Sequence, residues 1–200
     1  MGAGFGGFAF SRWMLTGSFC ILGLMASRGA ADEKKNDQQG TLVTIDGLQS
    51  RTPADWEEGT PTTKMRFKQF KLPGARKGDA AAELVIFFFG TGQGGSAEDN
   101  ITRWKAQFEP PRGKKIDDVA KSNSFKVSGV DVTYLDVSGT YLSKFPPFDP
   151  NAKTVRKPNY RMLGVVFESK DGPYFIKLTG PEDTVAHHKK GFDEWLKAFK

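Results

Sequence analysis

The run Gly90-Thr91-Gly92-Gln93-Gly94-Gly95 satisfies the spacing G-x-G-x-x-G, between an apolar segment and a helical pattern. In a dinucleotide site those glycines let a pyrophosphate reach the amides at a helix N-terminus. Three features oppose that chemistry here. The segments that follow read as hairpins, so no second βαβ unit is available. Glu98 and Asp99 fall in the first helical turn, where they would repel a phosphate. Export, argued below, would place the loop where nicotinamide cofactors are scarce. Asp117 and Asp118 lie at about the distance of the motif's acidic partner, but in a polar stretch rather than at a strand end. The bland reading is a strand-to-helix connector that uses glycine's access to positive φ. The sharper one is a ligand or partner loop comprising Gly92, Gln93, Gly94, Gly95, Ser96, Asn100 and Arg103.

His187 and His188 are the only histidines. Adjacent helical residues point about 100° apart, so the pair cannot clamp one metal as an i, i+4 pair does. A triad needs a base oriented by an acid and aimed at a nucleophile. No G-x-S-x-G elbow is present, and spacing places neither Ser96 nor Ser138 beside a histidine. A hydrolase using His187 or His188 is the enzymatic alternative. Basic clusters at Arg112 to Lys115, Lys153 to Lys157 and Lys189-Lys190 are interleaved with acids elsewhere, which favours solvated faces over nucleic-acid binding. Asn100-Ile101-Thr102 fits a glycosylation sequon, but inside a predicted helix. No catalytic, cofactor-binding or metal-ligating residue is assigned.

The elements that must position these residues follow from periodicity. Leu42 to Ile45 is a short apolar piece. Thr52 to Glu58 is a turn with Trp56 as buried anchor. Lys64 to Leu72 reads as a strand whose apolar phase shifts after Phe67, which predicts a bulge near Lys68 or Gln69. Leu84 to Phe89 is six uninterrupted apolar residues, a strand buried on both faces. The sheet must therefore be covered on both sides. Ser96 caps a helix, with Asp99 three residues on; Ile101, Trp104 and Phe108 form its stripe, and Pro110-Pro111 ends it. Phe125–Val127 and Val130–Val137 form a hairpin turned at Ser128-Gly129. Met162–Phe167 and Tyr174–Leu178 form a second, turned around Asp171-Gly172. Glu182 to Phe199 is a helix started by Pro181, with Val185, His188, Phe192, Trp195 and Phe199 on its apolar face. Phe145 to Asn159, with four prolines, reads as a long loop, and none of the eleven prolines is expected inside an element. Strands follow one another instead of alternating with helices. The fold class is α+β, a mainly antiparallel sheet covered by helices.

The 200 residues, with 38% hydrophobic and 12% aromatic content, exclude a disordered chain; one cysteine excludes a disulfide scaffold. The domain reading is a signal peptide over 1–31, a flexible leader over 32–40 and one α+β domain over 41–200. Arg12 precedes fourteen uncharged residues, Trp13 to Ala26, too few for a spanning helix and followed by Gly29-Ala30-Ala31. Cleavage after Ala31 and a periplasmic or extracellular location are expected; an uncleaved membrane anchor is the alternative. Cys20 follows Phe19, not the small residue of a lipidation site, and reads as apolar filler. Removing Arg12 and Arg28 with the leader leaves 27 basic against 23 acidic groups, a net +4.

Phe89-Gly90 through Gly95-Ser96, Asn100, Arg103-Trp104, Leu135 to Tyr141 and Gly172 to Pro181 together resemble a family of uncharacterised exported bacterial proteins, frequent in planctomycetes. The resemblance covers nearly all of the chain after the leader and implies no activity, cofactor or catalytic residue. The element order is similar to PsbP-like α/β/α modules, which assist larger complexes by binding. The reading that results is an exported, non-enzymatic module without a cofactor, binding a protein or small ligand of the envelope, with no nucleic-acid partner and no membrane span after cleavage.

Overall fold

The computed structural model describes Met1, residues 40–145 and residues 152–200. The leader, its cleavage site and Cys20 lie outside the described residues, as does the centre of the proline-rich segment. The elements in chain order are β1 (Leu42–Ile45), β2 (Leu48–Arg51), β3 (Glu57–Gly59), β4 (Arg66–Leu72), β5 (Ala82–Phe88), α1 (Ala97–Lys105), β6 (Phe108–Glu109), α2 (Ile116–Val119), β7 (Ala120–Val127), β8 (Val130–Phe145), β9 (Lys153–Ser169), β10 (Gly172–Pro181) and α3 (Glu182–Lys197).

The apolar run beginning at Leu84 lies inside the main sheet, whose order is β3-β4-β5-β10-β9-β8-β6, with β7 also paired to β8. Every pairing is antiparallel. Leu84, Val85 and Ile86 are all buried, as two-sided coverage demands. On one face Leu84, Ile86, Leu163, Val165, Phe167, Ile176 and Leu178 pack against Val185, Phe192, Trp195 and Phe199 of the C-terminal segment. The β1–β2 hairpin and Trp56 complete that core. On the other face Met162, Val166, Leu135 and Phe175 meet Ile101 and Trp104 of α1. The alternation along β9, Met162 to one side and Leu163 to the other, is the period-two signature of a strand with helices on both faces. The α+β class with a mainly antiparallel, helix-covered sheet is borne out.

Local chemistry explains the turns. Val127 pairs with Val130 across Ser128 and Gly129, both at positive φ, as the twist of a two-residue hairpin requires. The predicted bulge in β4 falls between Arg66 and Lys68.

Three expectations are corrected. The helix begun by Ser96 ends at Lys105, well before Pro110-Pro111. Phe108 is therefore buried from β6 and not from a helical stripe, because Leu142 N donates to Gln107 O (2.8 Å) and draws the chain onto β8. Phe145 to Asn159 is not one loop: β8 runs to Phe145 and β9 starts at Lys153. Prolines do enter elements. Pro158 stands in β9 where the ladder shifts register, Gly139 facing Tyr160 while Tyr141 faces Lys157, so two residues oppose one. A bulge is the place where a missing amide donor is tolerated. Pro173 stands one residue before β10 begins to pair with β5, and Pro181 closes β10 while capping α3.

Candidate functional site

The segment from Gly90 to Ser96 connects β5 to α1, and Gly90, Gly92, Gly94 and Gly95 all adopt positive φ. The loop is tied to the β9–β10 turn by Thr91, whose Oγ1 donates to Asp171 O at 2.6 Å. Gly94 is required for space as well as conformation: a Cβ there would lie 2.4 Å from the Phe175 ring. Ser96 caps α1 as predicted, its Oγ accepting from Asp99 N (3.1 Å) and donating to Asp99 Oδ2 (2.6 Å).

Asn100 is buried, and its Nδ2 donates to Gly94 O (2.9 Å) and Ser96 O (2.8 Å). Its Oδ1 accepts from Arg103 Nη2. The loop is thus a self-satisfied unit. Gly92, Gln93, Gly94, Gly95, Ser96, Asn100 and Arg103 are brought together, but the amide of Asn100 and the hydroxyl of Ser96 hold the loop in place. Only Gln93 and Arg103 carry long polar side chains that face outward from this unit. Nothing in this geometry cradles a pyrophosphate: Gly94 packs on Phe175, and the acids Glu98 and Asp99 occupy the first turn of α1.

What surrounds the loop is aromatic. Phe87 stacks on Phe89 (centroids 6.1 Å), Phe89 meets Phe175 (5.6 Å), Phe88 stacks on Tyr174 (4.4 Å), and Phe67 stands edge-on to Tyr174 (5.4 Å). Met65, which accepts the Phe88 amide through its carbonyl, is 39% exposed; Phe67 is 39% and Phe89 37% exposed. All three lie at one end of the sheet beside the glycine loop, Phe67 with Tyr174 on the α3 face and Phe89 with Phe175 on the α1 face. Sequence reasoning placed Met65 and Phe67 on a strand but did not join them to Phe89, since the register of β4 against β5 is what brings them together.

Among the described residues neither histidine is hydrogen-bonded to a carboxylate. His188 is buried, its Nε2 2.8 Å from Pro73 O and its Nδ1 3.7 Å from Asp55 Oδ2, with Trp56 edge-on at 6.4 Å. That ring fixes α3 to the loop between β4 and β5. His187 is exposed on α3. Ser96 caps α1 on the opposite face of the sheet, and Ser138 is paired with Arg161 in the β8–β9 ladder. Among the described residues no group of three or more His, Cys, Asp and Glu side chains could hold a metal ion. No helix among them is long and apolar enough to cross a membrane.

Neither protein-family models nor curated proteins yield a match to this chain. Solved structures do. The chain is similar to cyanobacterial PsbP (CyanoP) from Synechocystis, with 13% identity over 82% of this chain and 92% of that one, at a TM-score of 0.49. It is also similar to PA94, a Pseudomonas aeruginosa protein of unknown function, with 16% identity over 78% of this chain and 93% of that one, at a TM-score of 0.43.

Proposed function

We propose that this chain is an exported, non-enzymatic binding module that docks a partner through the end of the sheet where the glycine loop sits. The observation that carries the reading is the exposure of Met65, Phe67 and Phe89 around that end of the sheet, Phe67 on the α3 face and Phe89 on the α1 face. Clustered apolar side chains on a folded surface mark contact sites, whereas scattered ones do not. The neighbouring loop is internally hydrogen-bonded, so it presents a fixed shape and little ordering entropy opposes association. Leader sequence 1–31 supplies the route to the envelope.

Three measurements test the reading. A photo-crosslinking amino acid at position 89 of the full chain is expected to capture a discrete partner in the cell envelope, while the same probe at exposed Val155 captures none. With the probe moved to exposed Met65, a Phe67→Ser/Phe89→Ser variant should lose that partner yet unfold in urea within about 1 kcal/mol of the parent, as surface changes generally do. Retention of the partner by the double variant refutes the docking surface. N-terminal sequencing of the exported product is expected to begin at Asp32; a start at Met1 refutes cleavage.

A further inference from the structure

The face of the sheet beneath α1 is only partly covered by that helix. Trp104 lies on Gly164 of β9, so closely that a Cβ on Gly164 would stand 2.6 Å from its ring. In the same cross-strand row, Gly164 is paired with Lys177 of β10, Lys177 with Val85 of β5, and Val85 with Gln69 of β4. Successive residues of one row share a face. Lys177 therefore stands immediately beside the helix footprint, in the middle of the sheet.

Its surroundings carry more positive than negative charge. Lys177 Nζ donates to Gln107 Oε1 at 3.0 Å and lies 5.9 Å from the centre of the Trp104 ring. The charged groups that act on it are Arg103 from α1, Arg66 from β4 and Glu83 from β5. Glu83 is itself committed to Arg66, at 2.7 Å, and Arg66 also donates to Gln69 (3.1 Å). Among the described residues neither Lys177 nor Arg103 has a carboxylate partner. Three cations thus share one acid at the margin of the α1 footprint. Desolvation, seconded by Arg103, depresses the lysine to about 8. A half-buried cation without a counter-ion costs free energy that an incoming anion recovers.

We propose that Lys177, with Arg103 and Arg66 beside it and the Gln107 amide fixing its ammonium, forms a binding site for a small oxyanion, a carboxylate or a phosphate. Lys177 and Arg103 donate to the anion's oxygens. Arg66 is the third donor and exchanges Glu83 for the ligand. The site is separate from the aromatic end of the sheet, and its failure would leave the docking reading intact.

The test follows the Lys177 side-chain Cε signal by NMR in the intact protein, titrated with pH in chloride, benzoate and inorganic phosphate at constant ionic strength. At least one of the two oxyanions is expected to raise the Lys177 midpoint saturably, and whichever does so identifies the source. Arg103→Ala, at an exposed position, should weaken that effect about tenfold, the scale of one charge-assisted hydrogen bond. Lys177→Met should abolish binding measured calorimetrically with the same probe. A midpoint unmoved by both oxyanions, or an Arg103→Ala variant that binds as the parent does, overturns the proposal even if Lys177→Met fails to fold.

Discussion

A lysine inside a strand reading Tyr-Phe-Ile-Lys-Leu looks unexceptional in the sequence, yet the surroundings of Lys177 are unusual for its type. Its native value of about 8 lies below the ordinary 10.5. Between those values the unfolded chain holds a proton that the native chain has shed. Stability therefore rises with pH across this window, and is unaffected below about pH 8 where both states are protonated. At about 1.4 kcal/mol per unit, the gain between pH 8 and 9.5 is of order 2 kcal/mol. Urea unfolding of the parent against Lys177→Met should show it: the parent gains stability relative to the variant as pH rises from 8 to 9.5. A constant difference would mean that the ammonium is not desolvated in the native state. The tyrosines Tyr134, Tyr141 and Tyr174, all raised by burial, remain protonated through this range and do not mask the effect. Of the residues singled out in the sequence, Ser96 and His188 keep structural roles that their types allow, a cap and a buried ring. Asn100 was legible as part of the loop. That its amide would turn inward was not, because the carbonyls it meets are set by the loop's closure on the β9–β10 turn.

At the scale of elements, α1 depends on both of its ends. Ser96→Ala removes the cap from Asp99 N and should cost about 1 kcal/mol in urea unfolding. Gly94→Ala imposes a strained φ of 91° and a contact of 2.4 Å with the Phe175 ring, and should cost more, about 2–4 kcal/mol. If both variants unfold like the parent, the loop is not a rigid unit. The start of α1 was legible because capping is local. Its end was not: Phe108 satisfied the helical i, i+7 spacing from Ile101 but belongs to a strand. The deciding bond, Leu142 N to Gln107 O, comes from a residue 35 positions away. The same holds for Pro158, where a bulge in a long ladder accommodates what a local rule excludes from strands.

At the scale of the whole molecule, the chain end locks the two sheets together. Lys200 and Gln49 exchange backbone hydrogen bonds, N to O at 2.9 and 3.2 Å. Ser50 Oγ donates to Trp195 O (2.7 Å), and Ser128 Oγ to Phe199 O (2.6 Å). Phe199 is buried against Phe167 and Trp195. Phe199→Ala should therefore destabilise by about 3–5 kcal/mol. It should also speed amide exchange at Gln49 relative to the β8–β9 ladder, since it frees the small β1–β2 sheet first. Equal acceleration everywhere would show that the hairpin has no separate opening.

The sequence by itself determined whatever depends on neighbours along the chain. The two-sided burial of Leu84 to Ile86, the hairpin at Ser128-Gly129, the cap at Ser96 and the apolar face from Val185 to Phe199 all follow from periodicity, turn chemistry and capping, which act over a few residues. Only the tertiary structure decided the register between distant strands. That register made β6 a strand, gathered Met65, Phe67 and Phe89 at one end, and set Lys177 beside Gly164 at the margin of α1. Pairing across a sheet is fixed by the simultaneous burial of both faces, and no short window of sequence contains that constraint.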